Sequence, residues 1–144
     1  MQINDPDVIV EQDFPCSQQV LWRAITDPAQ MRQWFFDNIP NFEPRVGFKT
    51  EFTVDAGERQ FLHQWNVTEV EPQKKLVYRW RYSGYAGTGR SVFELAGDDE
   101  FSQLRINFVV EEDFAADIPE FQRAACLGGW QYVIAELGRY LATR

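Results

Sequence analysis

From Gly47 to Glu112 the large apolar residues fall on every second position; beyond that stretch they fall on every third or fourth. This switch of period constrains the fold more than any other feature of the chain. Alternation gives a strand one apolar face, whereas three- and four-residue steps draw one stripe along a helix. Phe48, Thr50, Phe52 and Val54 form the first alternating set, stopped by the turn Asp55-Ala56-Gly57. Phe61, His63, Trp65 and Val67 form the second, which ends near Pro72. In the third, Leu76, Tyr78, Trp80 and Tyr82 alternate with Val77, Arg79, Arg81 and Ser83. Ser91, Phe93 and Leu95 follow a glycine-rich turn, and Leu104, Ile106, Phe108 and Val110 follow Gly97-Asp98-Asp99. Five short strands joined by turns predict an antiparallel meander with one apolar face.

The flanking segments complete the pattern. Val8 to Phe14 reads as a first strand, broken at Pro15. Ser17 is placed to cap a short helix bearing Val20, Leu21, Ala24 and Ile25. Asp27-Pro28 ends that helix and opens a second, with Met31, Trp34 and Phe35. The chain closes in a helix predicted over residues 119–142, with Leu127, Trp130, Ile134, Leu137 and Leu141 as its stripe. Glu120, Arg123, Glu136 and Arg139 on that helix are expected to face water. There is no repeat, low-complexity tract or linker, so one α+β domain over residues 1–144 is expected.

Sheet and helix must cover each other, because water penalises exposed apolar area by about 25 cal/mol per Å². One helix about 10 Å wide is too narrow for six strands spaced about 4.8 Å apart. The sheet is therefore expected to curl around the helix, with the two short helices closing what is left. That mismatch predicts a pocket.

Composition narrows the function classes. The chain carries 22 acidic against 14 basic residues, a formal charge of −8. Nucleic-acid binding needs clustered cations to displace counterions, so neither nucleic acid nor an anionic membrane is an expected partner. No apolar run nears the roughly 20 residues of a membrane span, and the first residues lack the pattern of a secretory signal. A reducing cytoplasm is the expected location. Two cysteines, Cys16 and Cys126, stand far apart with no short-spaced Cys/His pattern, so no metal site and no cofactor is expected.

The order of elements, and a set of local motifs, resemble a known family. Phe14-Pro15 precedes Val20-Leu21-Trp22-Arg23-Ala24-Ile25-Thr26-Asp27-Pro28, and Trp34, Val46-Gly47-Phe48 and Val67-Thr68-Glu69-Val70-Glu71-Pro72 follow. Leu76-Val77-Tyr78-Arg79-Trp80, Gly129-Trp130 and the stripe through Leu137 and Leu141 complete the match. Together they resemble the helix-grip fold of the START-like (SRPBCC) superfamily, and more closely the activator of heat-shock protein 90 ATPase homologue family. The resemblance implies a curved six-stranded antiparallel sheet wrapped around a long C-terminal helix, with two short helices after the first strand. It implies a cavity for a lipid, polyketide or similar apolar molecule. Some members of the superfamily are cyclases or hydrolases and some are co-chaperones, so a heat-shock chaperone is an alternative partner and catalysis an alternative activity. Phe48 and Trp65 depart from the family pattern in being bulky, which is expected to reshape the pocket.

The candidate site residues follow from the apolar face. The strands supply Phe48, Phe52, Trp65, Tyr78 and Trp80. Phe93 and Phe108 come from later strands and Trp130 from the helix. Their indole and phenol groups need partners if buried. His63, the only histidine, is a candidate polar anchor or general base on the same face. Ser91 is a hydroxyl among apolar neighbours. With His63 and Asp113 it would make a triad, but no Gly-x-Ser-x-Gly turn surrounds it. Cys126 lies in the small-residue run 124–129 without a basic neighbour suited to activating it, and is expected to be inert. Gly128-Gly129 costs helix stability and so points to a packing, pocket or kink requirement. The acidic runs 98–100 and 111–113 lack metal-loop spacing. No acid–base pair can be assigned by spacing, so the residues favour binding over catalysis.

Overall fold

In a computed structural model the described residues are 1–143. They form β1 (Val8–Phe14), α1 (Gln18–Thr26), α2 (Pro28–Trp34) and five further strands. These are β2 (Lys49–Asp55), β3 (Gln60–Glu71), β4 (Lys75–Tyr82), β5 (Thr88–Gly97) and β6 (Ser102–Glu112). A 3-10 turn (Pro119–Phe121) leads into α3 (Arg123–Ala142). The six strands make one antiparallel sheet in the order β1-β6-β5-β4-β3-β2. This is the helix-grip fold.

Local chemistry sets the helix boundaries. Ser17 accepts the Val20 N–H at 3.0 Å and caps α1. Asp27 ends α1 and caps α2 through the Ala29 N–H, also at 3.0 Å. Pro28 has no N–H, so it cannot bond back to the carbonyl of Ala24 four residues earlier. The Trp34 indole takes that carbonyl instead, at 2.9 Å, which pins α2 against α1. At the other end, extended backbone at Gln122 (ψ 148°) separates the 3-10 turn from α3. The expected single helix from residue 119 is therefore two pieces.

The stripe of α3 is buried at Trp130, Ile134, Leu137 and Leu141, whereas Leu127 is only half-buried. Two residues expected in water are engaged: Glu120 pairs with Arg59 at 3.2 Å, and Arg123 donates to the carbonyls of Pro6 and Asp7. The opposite face of the sheet is polar, and there Glu111 bridges Arg79 and Arg90 at 3.2 and 3.4 Å.

Register shifts at Val67/Glu69 and Thr88/Gly89 bend the sheet. Gly89 is required at the second of these. A Cβ there would lie 2.3 Å from the tip of the Phe108 ring, so only glycine lets that ring rest against the strand.

Candidate functional site

The sheet's apolar face is divided in two. Arg32 holds the carbonyls of Ile39 and Pro40 at 2.6 and 3.0 Å, and Asn38 donates to Thr53 at 2.7 Å. These bonds fold the segment after α2 over the β2–β4 side of the sheet. Phe42 is thereby inserted edge-on against Phe48, Trp65 and Tyr78, with ring centroids 5.7–6.4 Å apart. Half of the bowl is solid core.

Six of the expected site residues lie in that core and line no cavity under α3: Phe48, Phe52, Trp65, Tyr78, Ser91 and Phe93. Ser91 is fully buried and donates to the Tyr78 carbonyl across the β4–β5 pair at 3.2 Å. Asp113 accepts the Ile3 N–H at 2.7 Å at the surface. Neither residue is brought to His63 as a triad would require.

The other half retains a cavity of about 310 Å³ between the sheet and the first half of α3. Five expected residues line it: His63, Trp80, Phe108, Cys126 and Trp130. Phe35 and Phe36, at the end of α2, form one wall, and Tyr82 of β4 another. Ala125, Gly129, Tyr132 and Val133 extend the α3 side, and Met1 and Glu120 lie at the edge. Sequence reasoning missed Tyr82 although it alternates with Trp80, so period two alone was signal enough. The Phe35-Phe36 wall had no such signal, because it depends on where the loop after α2 folds. A second hollow, of about 360 Å³, lies at Lys49, Glu51, Gln64, Arg79 and Arg81, and its charged walls set it apart.

Trp80 is the hub of the cavity floor, with Phe35, His63, Phe108 and Trp130 rings 5.4–6.1 Å from its own. The indole N–H groups of Trp65 and Trp80 are sealed in without an acceptor. Each such donor costs about 1–3 kcal/mol. The Trp80 N–H lies near the Tyr82 hydroxyl without reaching hydrogen-bond geometry. Burial pushes the Tyr82 phenol well up, and that N–H offsets the effect only in part.

His63 is 5% exposed. Burial lowers its pKa to about 4, against a smaller upward pull from the Phe61 carbonyl. The ring is thus neutral at physiological pH. Burial pushes the Cys126 thiol up to about 12, only partly opposed by the Trp130 N–H and more weakly by Arg123. A thiol so far from ionising is a poor nucleophile. Iodoacetamide at neutral pH is expected to alkylate Cys126 at least about a hundredfold more slowly than free cysteine. Peptide mapping by mass spectrometry, which separates Cys126 from Cys16, measures this; labelling at the free-thiol rate would refute it.

Gly129 explains part of the glycine pair. A Cβ at Gly128 or Gly129 would meet nothing within 4 Å, and Gly129 is on the cavity wall. The absent side chain keeps that stretch of wall open.

Residues 15–142 match the family described as Activator of Hsp90 ATPase homolog 1-like protein. The chain belongs to that family. Among solved structures it is similar to DynU16, a protein of the dynemicin biosynthetic locus, at 27% identity and a TM-score of 0.76. That match covers 96% of this chain and 48% of DynU16, so the chain spans about half of DynU16's length. Protein MLL2253 from Mesorhizobium loti is 25% identical with a TM-score of 0.75, covering 96% of this chain and 98% of that one. The Aha1 dimer from Colwellia psychrerythraea shares the fold at 17% identity and a TM-score of 0.70, covering 95% and 96%. No curated protein matches the chain. Among the described residues no helix is long and apolar enough to cross a membrane. Nor do they group three or more His, Cys, Asp or Glu side chains as a metal site would.

Proposed function

We propose that this member of the Activator of Hsp90 ATPase homolog 1-like family binds a small apolar ring compound between α3 and the sheet. One observation carries the reading: a cavity of about 310 Å³ walled by Phe35, Phe36, Trp80, Phe108 and Trp130, with a neutral histidine in its lining. Small-molecule sites combine such apolar walls with a few polar groups and run from about 300 Å³ upward. The occupant is correspondingly compact. Rings stack well on aromatic walls, which adds to simple burial. A binding role needs no activated group, and neither Cys126 nor His63 has an activating partner. The family's name speaks for the chaperone alternative, whereas the cavity is a property of this chain.

Gly129→Leu tests the reading. Leucine there projects into the cavity while removing a helix-breaking glycine, which favours the helix by roughly 0.8 kcal/mol. Native mass spectrometry after mild purification is expected to show an apolar species on the wild-type protein and none on the variant, whose melting temperature is unchanged or higher. A wild-type chain that carries nothing, and takes up nothing from a panel of neutral aromatics and lipids, would end the proposal.

A further inference from the structure

We propose that the cavity selects uncharged ring compounds bearing a hydroxyl, whose proton is donated to Nε2 of His63. This deepens the binding reading above and rests on it. Nδ1 of His63 lies 3.1 Å from the Phe61 carbonyl oxygen. A carbonyl only accepts, so Nδ1 carries the ring proton and Nε2 presents a lone pair. Nε2 has no hydrogen-bond partner among the described residues, and unlike the Trp65 and Trp80 nitrogens it is not sealed off by packing. His63 lines the cavity.

The ring cannot turn freely to change this offer. It stacks on Phe52 at 5.3 Å and 21°, and meets Tyr82 edge-on at 4.8 Å and 89° and Phe36 at 5.1 Å and 63°. A flip would also break the bond to Phe61. The acceptor is therefore built in.

Chemical selection follows. A ketone or ether brings only lone pairs to a lone pair, whereas an alcohol or phenol brings a proton. The hydroxyl oxygen can in turn accept from Tyr82, the cross-strand partner of His63 and another cavity residue. A ring N–H offers no such acceptor. Anions fare worst. Among the described residues no Lys or Arg lines the cavity; the Met1 ammonium there already donates to the Phe121 carbonyl at 2.7 Å, and Glu120 at the edge is itself a carboxylate held by Arg59. An ionised ligand would lose its hydration among apolar walls, with one already engaged ammonium and an opposing carboxylate at the edge to replace it.

Isothermal titration at pH 7 with naphthalene, 1-naphthol, 1-methoxynaphthalene and 1-naphthoate separates the claims. 1-Naphthol is expected to bind about tenfold more tightly than 1-methoxynaphthalene, the effect of one added hydrogen bond, with 1-naphthoate weakest. In His63→Phe the ratio of the two neutral ligands is expected to fall to near one. If that variant fails to fold, the wild-type ratio decides alone. Equal affinity for 1-naphthol and 1-methoxynaphthalene, or preference for 1-naphthoate, would overturn the selection by His63 and leave the binding reading standing through naphthalene. Binding of none of the four would overturn both.

Discussion

Lowering the pH from neutrality to 4 is expected to destabilise the protein by about 3 kcal/mol through His63 alone. The histidine's ordinary pKa of 6.5 is lowered by burial to about 4 in the folded chain. Between those values the unfolded state binds the proton and the folded state does not, so stability rises with pH across that window. Above 6.5 both states are neutral and the residue is silent; below about 4 both are protonated and the loss is complete. Urea titrations at a series of pH values, on the wild type and on His63→Phe, isolate this contribution from that of the carboxylates. Their difference in stability should grow steadily as the pH drops through the window. Parallel curves would mean that His63 is solvated or charged in the folded protein.

Trp65→Ala is expected to cost about 3–5 kcal/mol, a large part of the stability of any domain this size. Trp65 is 2% exposed. Its ring touches Phe42 from the loop, Phe52 from β2, and Tyr78 and Trp80 from β4 at 4.7–6.4 Å. Alanine would leave a void between loop and sheet that cannot collapse, because the strand spacing is fixed by the backbone ladder. Tyr132→Ala is the contrast: it removes a ring of similar size that is 65% exposed at the cavity mouth, so its cost should stay within about 0.5 kcal/mol. Urea midpoints measure both. A Trp65→Ala midpoint close to that of Tyr132→Ala would show that the aromatic core is loosely packed.

These two expectations come from opposite halves of one apolar face, and the sequence does not separate the halves. Alternation placed Phe48, Phe52, His63, Trp65, Tyr78 and Trp80 on the same side of the sheet, where the structure has them. It could not say that Phe42, in the loop beyond α2, would come down on Phe48, Trp65 and Tyr78 and make that side solid. Nor could it place Phe35 and Phe36. Their position depends on Arg32 and Asn38 gripping backbone carbonyls that lie up to 15 residues away. Ser91 was legible as an inward hydroxyl, but its bond to the Tyr78 carbonyl is a matter of strand register.

Sequence by itself determined the order of strands and α-helices, the antiparallel meander, the cap at Ser17, the break at Asp27-Pro28 and the stripe of α3 from Trp130 to Leu141, because each depends on residues a few positions apart. Tertiary structure alone decided where the bowl is full and where it is hollow, which tautomer His63 holds, and that Cys126 stays protonated. Those outcomes turn on groups brought together from distant parts of the chain. Short-range periodicity carries no record of such meetings.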